Sequence, residues 1–419
     1  MQRISYFANR KIKRLIQKMN AMRKNVFLLL AAVVLAACSM SKDSEPSAGD
    51  GTYSGNGNAG DSTTIAGKVT AGEWRDLDHW LFWSDLMTGV YADQDGQGYG
   101  MMSDYWGFYT NHRVAVRVED ISGQPQRDIP VQLIRWVEEQ PTVLCEGRTD
   151  NKGEVNLFVG MTQKIEEIDA ASMVIGLNGN IPIVQTEPLR VTPWGEEPQW
   201  NVCVASRESS ANIDIAFIVD ATGSMSDEID FLKADLLDIL NKVSQANSNA
   251  DIRTAALFYR DEGDAYVTRA NDFTADVTQT TAFIAKQKAE GGGDYPEAVH
   301  TALEKGLQDL SWREDDCIRL AFMLLDAPPH KEDKVLQSLH LSVPQYVKAG
   351  IRLIPVAASG VDKNTEFFLR FVTIATDGTY VFITNDSGIG GDHIAATVGE
   401  YQVELLNDLI TRLINQYLE

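Results

Sequence analysis

The sequence predicts an α/β fold over residues 206–419, a doubly wound and mainly parallel sheet, preceded by an all-β domain over residues 63–205. The first observation is that continuous apolar runs alternate with segments of helical period after residue 206. This alternation favours parallel strands that helices cover on both faces. The second observation is a period of two in the apolar residues between 63 and 205, which is typical of half-buried strands.

The N-terminal segment predicts export. Residues 1–37 contain eight Lys or Arg and no acid, and residues 26–37 form an unbroken apolar run of twelve. A run of this length is too short to cross a bilayer but suits the core of a signal peptide. The run ends at Leu-Ala-Ala-Cys, which resembles a bacterial lipobox. The resemblance implies that Cys38 is the lipid-modified first residue of the mature protein, and the alternative is a plain secretory signal with a chance Cys.

Residues 38–62 predict a flexible tether, because Ser, Gly, Asp and Asn dominate and almost nothing there could enter a core. Ser39, at the second position of the mature chain, resembles a signal for sorting to the outer membrane. The neighbouring cluster of a Lys and acids resembles a surface-export tag. We therefore expect an outer membrane lipoprotein, and leave open whether it faces the periplasm or the cell surface.

The charge of the chain disfavours some partners. The sequence has 37 Lys and Arg against 59 Asp and Glu, a net charge of −22. Removal of the eight basic residues of the signal segment leaves 29 against 59, a net charge of −30. Such a charge argues against binding to nucleic acid or flatly to anionic lipid. Membrane attachment is therefore expected through the N-terminal lipid alone.

Three segments support the all-β domain. Apolar and polar residues alternate over 114–120 and again over 130–136, and a turn at Asp150–Gly153 leads into a third apolar segment. The set resembles the Ig-like or carboxypeptidase-regulatory-like β-sandwich modules that precede functional domains on bacterial surface proteins. Cys145 and Cys203 both fall in this region, and an exported compartment would permit a disulfide between them.

The C-terminal region predicts a series of strands and helices. The first helix has an apolar face, which consists of Ile229, Leu232, Leu236, Ile239, Leu240 and Val243. Further helices are expected near 276–289, 296–310, 335–348, 364–375 and 399–417. Buried strands are expected near 213–220, 251–259, 318–326, 351–358 and 379–384, with a short edge strand near 265–270. Cys317, at the start of one strand, is expected to be a small core residue rather than a reactive thiol.

Three oxygen-bearing side chains follow the first of these strands. Asp220, Thr222 and Ser224 occupy alternate positions where the strand should end, so a turn could direct all three to one point. Hard divalent cations prefer carboxylate, hydroxyl and water oxygens as ligands. The alternative is a simple helix N-cap and turn without a metal.

This pattern resembles the first segment of a metal-ion-dependent adhesion site, the hallmark of the von Willebrand factor A (vWA) domain, a Rossmann-like fold. The second and third segments of that site are similar to Gly291–Glu297 and Leu324–His330. The resemblance implies Asp294 and Asp326 as further ligands. Thr222 stands where the family commonly has Ser, and Asp294 where it commonly has Thr. Mg²⁺ is the expected cation, and the additional carboxylate would also admit Ca²⁺ or Mn²⁺.

The resemblance implies a binding module in which an Asp or Glu of a protein partner completes the coordination of the metal. We expect no catalytic activity, because the chain has no His-Glu-x-x-His, Gly-x-Ser-x-Gly or P-loop motif. A metal-dependent hydrolase would have to use Ser224, His330 or His393. The remaining alternative is a structural envelope scaffold in which the ion only stabilises the loops.

Overall fold

The computed structural model describes residues 66–89, 98–180, 188–208, 210, 212–247 and 249–419. Residues 62–419 form one compact unit. The predicted signal segment, Cys38 and the predicted tether lie outside the described residues. Within the described ranges, none of the helices is both long and apolar enough to cross a lipid bilayer.

The structure contains three sheets. Their strands are β1 Thr70–Trp74, β2 Arg113–Glu119, β3 Pro130–Val137, β4 Gln140–Arg148, β5 Glu154–Phe158, β6 Met173–Leu177, β7 Trp200–Val204, β8 Asn212–Asp220, β9 Asp251–Tyr259, β10 Thr268–Thr274, β11 Ile318–Leu325, β12 Ile351–Ala357, β13 Tyr380–Ile383 and β14 Glu404–Leu405. The helices are α1 Trp80–Met87, α2 Tyr99–Trp106, α3 Ile229–Ala246, α4 Val277–Ala285, α5 Val299–Gln308, α6 Asp333–Ala349, α7 Lys363–Ala375 and α8 Leu406–Leu418.

The largest sheet has eight strands in the order β10-β9-β8-β11-β12-β13-β1-β14. The central strands β9, β8, β11, β12 and β13 run parallel, whereas β10, β1 and β14 pair antiparallel with their neighbours. The first six strands of the sheet follow the doubly wound order, in which the chain moves outward from β8 in one direction and from β11 in the other. This mixed α/β architecture with a mainly parallel sheet confirms that part of the predicted fold.

Helices cover both faces of the large sheet. The six apolar residues predicted for the first helix are all buried in α3, in a core that also contains side chains of α8. Side chains of α5, α6 and α7 belong to a second core on the opposite face. Strands with two covered faces are apolar along most of their length. Accordingly, every residue of β11 and β12 is buried, and all of them except Arg319 and Arg352 are apolar.

The region before residue 206 differs from the predicted all-β domain. Strand β1 lies inside the large sheet, between β13 and β14, and α1 and α2 follow it. The other strands of this region form two separate three-stranded sheets, β5-β2-β7 and β4-β3-β6. The strands expected near 114–120, 130–136 and 154–159 are therefore confirmed, but the preceding Ig-like sandwich domain is not.

The apolar residues of the small sheets do not form a core of their own. Val116 of β2 and Leu133 of β3 belong to the same buried cluster as Phe371 of α7. Phe108 stacks on Phe371, with ring centroids 4.2 Å apart. Burial against the helices of the large sheet thus replaces the face-to-face packing of a closed sandwich.

The disulfide considered between Cys145 and Cys203 is not formed, and both residues are free thiols. Cys145 lies on β4 and Cys203 on β7, which belong to different small sheets. Burial raises the pKa of the Cys145 thiol to about 12. Cys317 is buried and free, as expected for a small core residue.

A buried ion pair connects the region before residue 206 to α7. The Arg370 guanidinium donates from Nε and Nη2 to the two carboxylate oxygens of Asp76, at 2.9 and 2.5 Å, and both side chains are fully buried. We predict that Asp76→Ala lowers the free energy of unfolding by about 3–5 kcal/mol, because a buried guanidinium loses its partner. Chemical denaturation monitored by circular dichroism measures this change.

The exposed pair Lys164–Asp104 in the same region supplies the control for this prediction. Asp104→Ala should change stability little, because water already screens both charges. If Asp76→Ala lowered the free energy of unfolding no more than Asp104→Ala, this would contradict a core formed jointly by the regions before and after residue 206.

Candidate metal centre

The candidate site lies where the order of the large sheet reverses. Asp220 is the last residue of β8, and Asp326 comes directly after β11. These strands are parallel neighbours, with Val219 opposite Leu324. In doubly wound sheets the chain departs in opposite directions from two such strands, which leaves a crevice at their carboxyl ends. The strand pairing therefore brings Asp220 and Asp326 together.

The first loop is organised by the Asp220 carboxylate. Its Oδ1 accepts hydrogen bonds from the Thr222 backbone N–H at 2.8 Å and from the Thr222 hydroxyl at 2.7 Å. The Thr222 and Ser224 hydroxyls are 3.1 Å apart. Short side chains that bond to the backbone two residues on stabilise such turns. Asp220 and Thr222 are buried, whereas Ser224 is exposed, so the group opens to solvent at Ser224.

Burial and neighbouring acids destabilise the ionised form of both carboxylates. Burial and the charge of Asp326 raise the pKa of Asp220 to about 7. Burial and the charge of Glu228 raise the pKa of Asp326 to about 6, although the neighbouring Ser224 hydroxyl acts in the opposite direction. A cation between the carboxylates would remove this penalty, because it replaces repulsion by attraction.

Both carboxylates of the candidate site have an oxygen without a hydrogen-bond partner. Asp220 Oδ2 and Asp326 Oδ1 are buried and have no hydrogen-bond partner. The Tyr259 hydroxyl is near enough to Asp220 to influence its carboxylate, but it forms no hydrogen bond of normal geometry. Buried carboxylate oxygens normally have partners. Together with the hydroxyls of Thr222 and Ser224, these oxygens fit a hard divalent cation such as Mg²⁺.

The second loop is close to the first and the third. The Gly223 backbone N–H donates to the Gly291 carbonyl at 3.0 Å, and the Glu297 backbone N–H donates to the Pro328 carbonyl at 2.9 Å. The three segments identified in the sequence therefore meet at one edge of the sheet.

The side chain of Asp294, predicted as a ligand from this loop, is exposed, as is that of Ser224. The acid of the loop that turns inward is Glu297, which is 3% exposed. Burial and the charges of Asp220 and Asp261 raise the pKa of Glu297 to about 9. Sequence reasoning missed Glu297, although it stands in the same Gly-Gly-Gly-Asp-Tyr-Pro-Glu segment.

Gly292 makes this arrangement of the second loop possible. It has a φ of +71°, and a Cβ at this position would lie 2.9 Å from Glu297 Oε1 and 3.2 Å from Thr222 Cβ. A side chain here would be strained and would also press the loop away from Thr222.

The described residues contain no group of three or more His, Cys, Asp or Glu side chains arranged to hold a metal ion. The larger set predicted from the sequence, which adds Asp294, stays a prediction. The candidate centre consists of two carboxylates and two hydroxyls, from Asp220, Thr222, Ser224 and Asp326.

Two histidines considered as catalytic candidates have acidic partners. His330 Nε2 lies 2.7 Å from Asp261 Oδ1, and His393 Nε2 lies 2.9 Å from Glu228 Oε1. The neighbours of the Ser224 hydroxyl are Thr222 and Asp326. Within the described chain, no hydrogen bond joins Ser224 to a histidine.

Comparison with known sequences finds a family match within the C-terminal region. Residues 214–346 match the family described as the von Willebrand factor A domain. The matched residues include both Asp220 and Asp326.

Two curated relatives share part of the chain. The alpha-protein kinase vwkA of Dictyostelium discoideum is 25% identical over 175 residues, which are 41% of this chain and 27% of the relative. An ariadne-like RING finger protein of Acanthamoeba polyphaga mimivirus is 33% identical over 123 residues, 29% of this chain and 12% of the relative. The chain thus spans only a minor part of either relative.

Among solved structures, the conserved hypothetical protein BatB from Bacteroides thetaiotaomicron is similar at 11% sequence identity. The similarity covers 49% of this chain and 98% of BatB, with a TM-score of 0.34.

The site generates a prediction that separates Asp294 from the carboxylates in the crevice. We predict that Mg²⁺ raises the melting temperature of the wild-type protein and of Asp294→Asn, but not of Asp220→Asn or Asp326→Asn. Saturation at 100 times Kd stabilises a protein by about 2.7 kcal/mol. Differential scanning fluorimetry with Mg²⁺ and with EDTA measures the shifts.

Without metal, Asp220→Asn and Asp326→Asn should melt no lower than the wild type, because each removes one of two repelling buried charges. An equal loss of the Mg²⁺ shift in Asp294→Asn would contradict the assignment of four ligands.

Proposed function

We propose that the vWA domain binds a divalent cation and uses it to capture a protein that presents an Asp or Glu carboxylate. The observation that carries this proposal is the pair of buried, unpartnered oxygens of Asp220 and Asp326 beside the exposed Ser224. The buried oxygens favour a cation, and the opening at Ser224 leaves one side of that cation accessible. An incoming carboxylate can complete the coordination there.

The donor set favours Mg²⁺, because hard cations with few protein ligands keep positions for water or an external oxygen. Ca²⁺ and Mn²⁺ are the alternative occupants. Ca²⁺ accepts more oxygen ligands than Mg²⁺ and could draw in Glu297, whose Oε2 is also buried without a partner. In either case the cation must offset the negative charge of the domain before an acidic partner can approach.

A binding role accounts for the site better than an enzymatic one. Nucleophilic catalysis by Ser224 would need an adjacent general base. The neighbours of Ser224 are a hydroxyl and a carboxylate suited to metal ligation, and His330 and His393 are engaged with Asp261 and Glu228. The vWA domain itself is consistent with protein interaction or adhesion.

The alternative function is a structural scaffold in which the cation only stabilises the loops. Backbone hydrogen bonds that already join the three loops favour this alternative. They run from Gly223 to Gly291 and from Glu297 to Pro328. A metal would then add stability without exposing a binding position.

We further propose that the protein is attached to the outer membrane through a lipid on Cys38, with residues 38–62 as the tether. The apolar segment before Leu-Ala-Ala-Cys supports this proposal. Stable anchoring generally requires more than one acyl chain.

The binding proposal predicts cation-dependent capture. The immobilised protein should retain partners from solubilised cell envelopes in Mg²⁺ and release them in EDTA or in excess acetate, because acetate competes for the open coordination position. Asp220→Ala should retain nothing, whereas Asp294→Asn should behave as the wild type. Quantitative mass spectrometry of the retained proteins measures the difference.

Capture that persists in EDTA and in Asp220→Ala would refute metal-mediated binding. A Mg²⁺-induced rise in melting temperature without any capture that acetate displaces would instead support the scaffold.

The anchoring proposal predicts that Cys38→Ser abolishes incorporation of radiolabelled palmitate during expression in a Gram-negative host. Cys145→Ser is the matched control and should be labelled normally, because this thiol is partly buried within β4. Labelling that persists in Cys38→Ser would exclude Cys38 as the acylated residue.

A further inference from the structure

Glu228 is a buried acid beside the candidate metal centre with no assigned role. It immediately precedes α3 and follows the 3₁₀ turn Gly223–Asp227 that carries Ser224. Its side chain does not cap α3. Instead Oε1 accepts a hydrogen bond from the Ser359 backbone N–H at 3.1 Å and lies 2.9 Å from His393 Nε2. The carboxylate is thus directed away from its own helix.

The hydrogen bonds around His393 fix the orientation of its ring. Asn385 Oδ1 accepts from the His393 backbone N–H at 3.1 Å, so this atom is the oxygen of the amide. The same oxygen lies 2.9 Å from His393 Nδ1, which is therefore the donor of that hydrogen bond. The other ring nitrogen, Nε2, faces Glu228 Oε1, and both side chains are 2% exposed.

Only one oxygen of Glu228 is used in these contacts. Oε2 is buried and has no hydrogen-bond partner. Ser359, which donates to Oε1, follows Ala358, whose backbone N–H donates to the Leu325 carbonyl at 2.9 Å, directly before Asp326. In agreement with this position, the charge of Glu228 contributes with burial to the raised pKa of Asp326. A buried carboxylate with a fixed orientation, a free oxygen and an adjacent metal-binding acid is the arrangement of an outer carboxylate in a metal site.

The loop that contains His393 packs directly against the Glu228 side chain. Gly390 has a φ of +80°, and a Cβ there would lie 2.2 Å from Glu228 Oε1. The Gly360 backbone N–H donates to the Asp392 carbonyl at 3.2 Å, which joins this loop to the loop that carries Ser359. Substitution of Gly390 would therefore displace the contact between the loop and Glu228 without removing Glu228 or His393.

We propose that Glu228, oriented by His393, is a positioning residue of the metal centre: it strengthens cation binding from outside the four ligands by holding a negative charge and a free oxygen beside Asp326. The inference rests on the proposed cation binding. The Gly388–Gly391 segment then has a function, because it allows the His393 loop to close on Glu228.

Mn²⁺ binding measured by electron paramagnetic resonance tests this inference, with the Mg²⁺-induced shift in melting temperature as a second readout. Glu228→Gln and Gly390→Ala should each weaken Mn²⁺ binding about 10–100-fold, the usual effect of removing an outer partner of a metal site. Glu228→Asp retains a carboxylate, and its Mn²⁺ affinity should fall less. Gly390→Ala retains both Glu228 and His393, so weaker Mn²⁺ binding in this variant would report on their orientation.

Glu366→Gln is the matched control. Glu366 is a fully buried Glu whose oxygens accept from the Tyr99 hydroxyl, Lys363 and Thr397. This variant should melt at a lower temperature but bind Mn²⁺ with wild-type affinity. Wild-type Mn²⁺ affinity in both Glu228→Gln and Gly390→Ala would overturn the inference and leave the proposed function intact. A wild-type protein that binds no Mn²⁺ would overturn both.

Discussion

The parallel pairing of β8 with β11 is the constraint on which the candidate site depends. It places the carboxylates of Asp220 and Asp326 at adjacent strand ends, where burial raises the pKa of both and the charge of Asp326 raises that of Asp220 further. The sheet has to be covered on both faces to bury these strands, so the core that stabilises the fold also removes water from the site. A cation relieves the charge repulsion that this architecture creates.

Each loop at the carboxyl ends of the strands contributes different side chains to the candidate site. The first loop directs two hydroxyls to the site, the second presents Glu297, and the loop after β13 brings His393 to Glu228. Two backbone positions with positive φ, Gly292 and Gly390, allow the second and last loops to approach so closely. The site is therefore a property of several segments that are far apart in the chain.

The region before residue 206 belongs to the same folding unit as the vWA domain. Its first strand extends the large sheet, Asp76 neutralises the buried Arg370, and Phe108 stacks on Phe371. Local periodicity identified individual strands in this region, because alternation reports which face of a strand is buried. Alternation does not report what covers that face. The buried faces of these strands pack in a cluster that also contains side chains of α7, and a self-contained sandwich is not confirmed.

The sequence by itself determined the alternating α/β architecture, six of the eight strands of the large sheet and the candidate residues Asp220, Thr222, Ser224 and Asp326. Each of these is a local signal, either an apolar run, a helical period or a polar side chain at a strand end. Only the tertiary structure buried Glu297 in the second loop, paired His393 with Glu228 and separated Cys145 from Cys203. These outcomes depend on the direction of loops and on packing between distant segments, which no local pattern encodes.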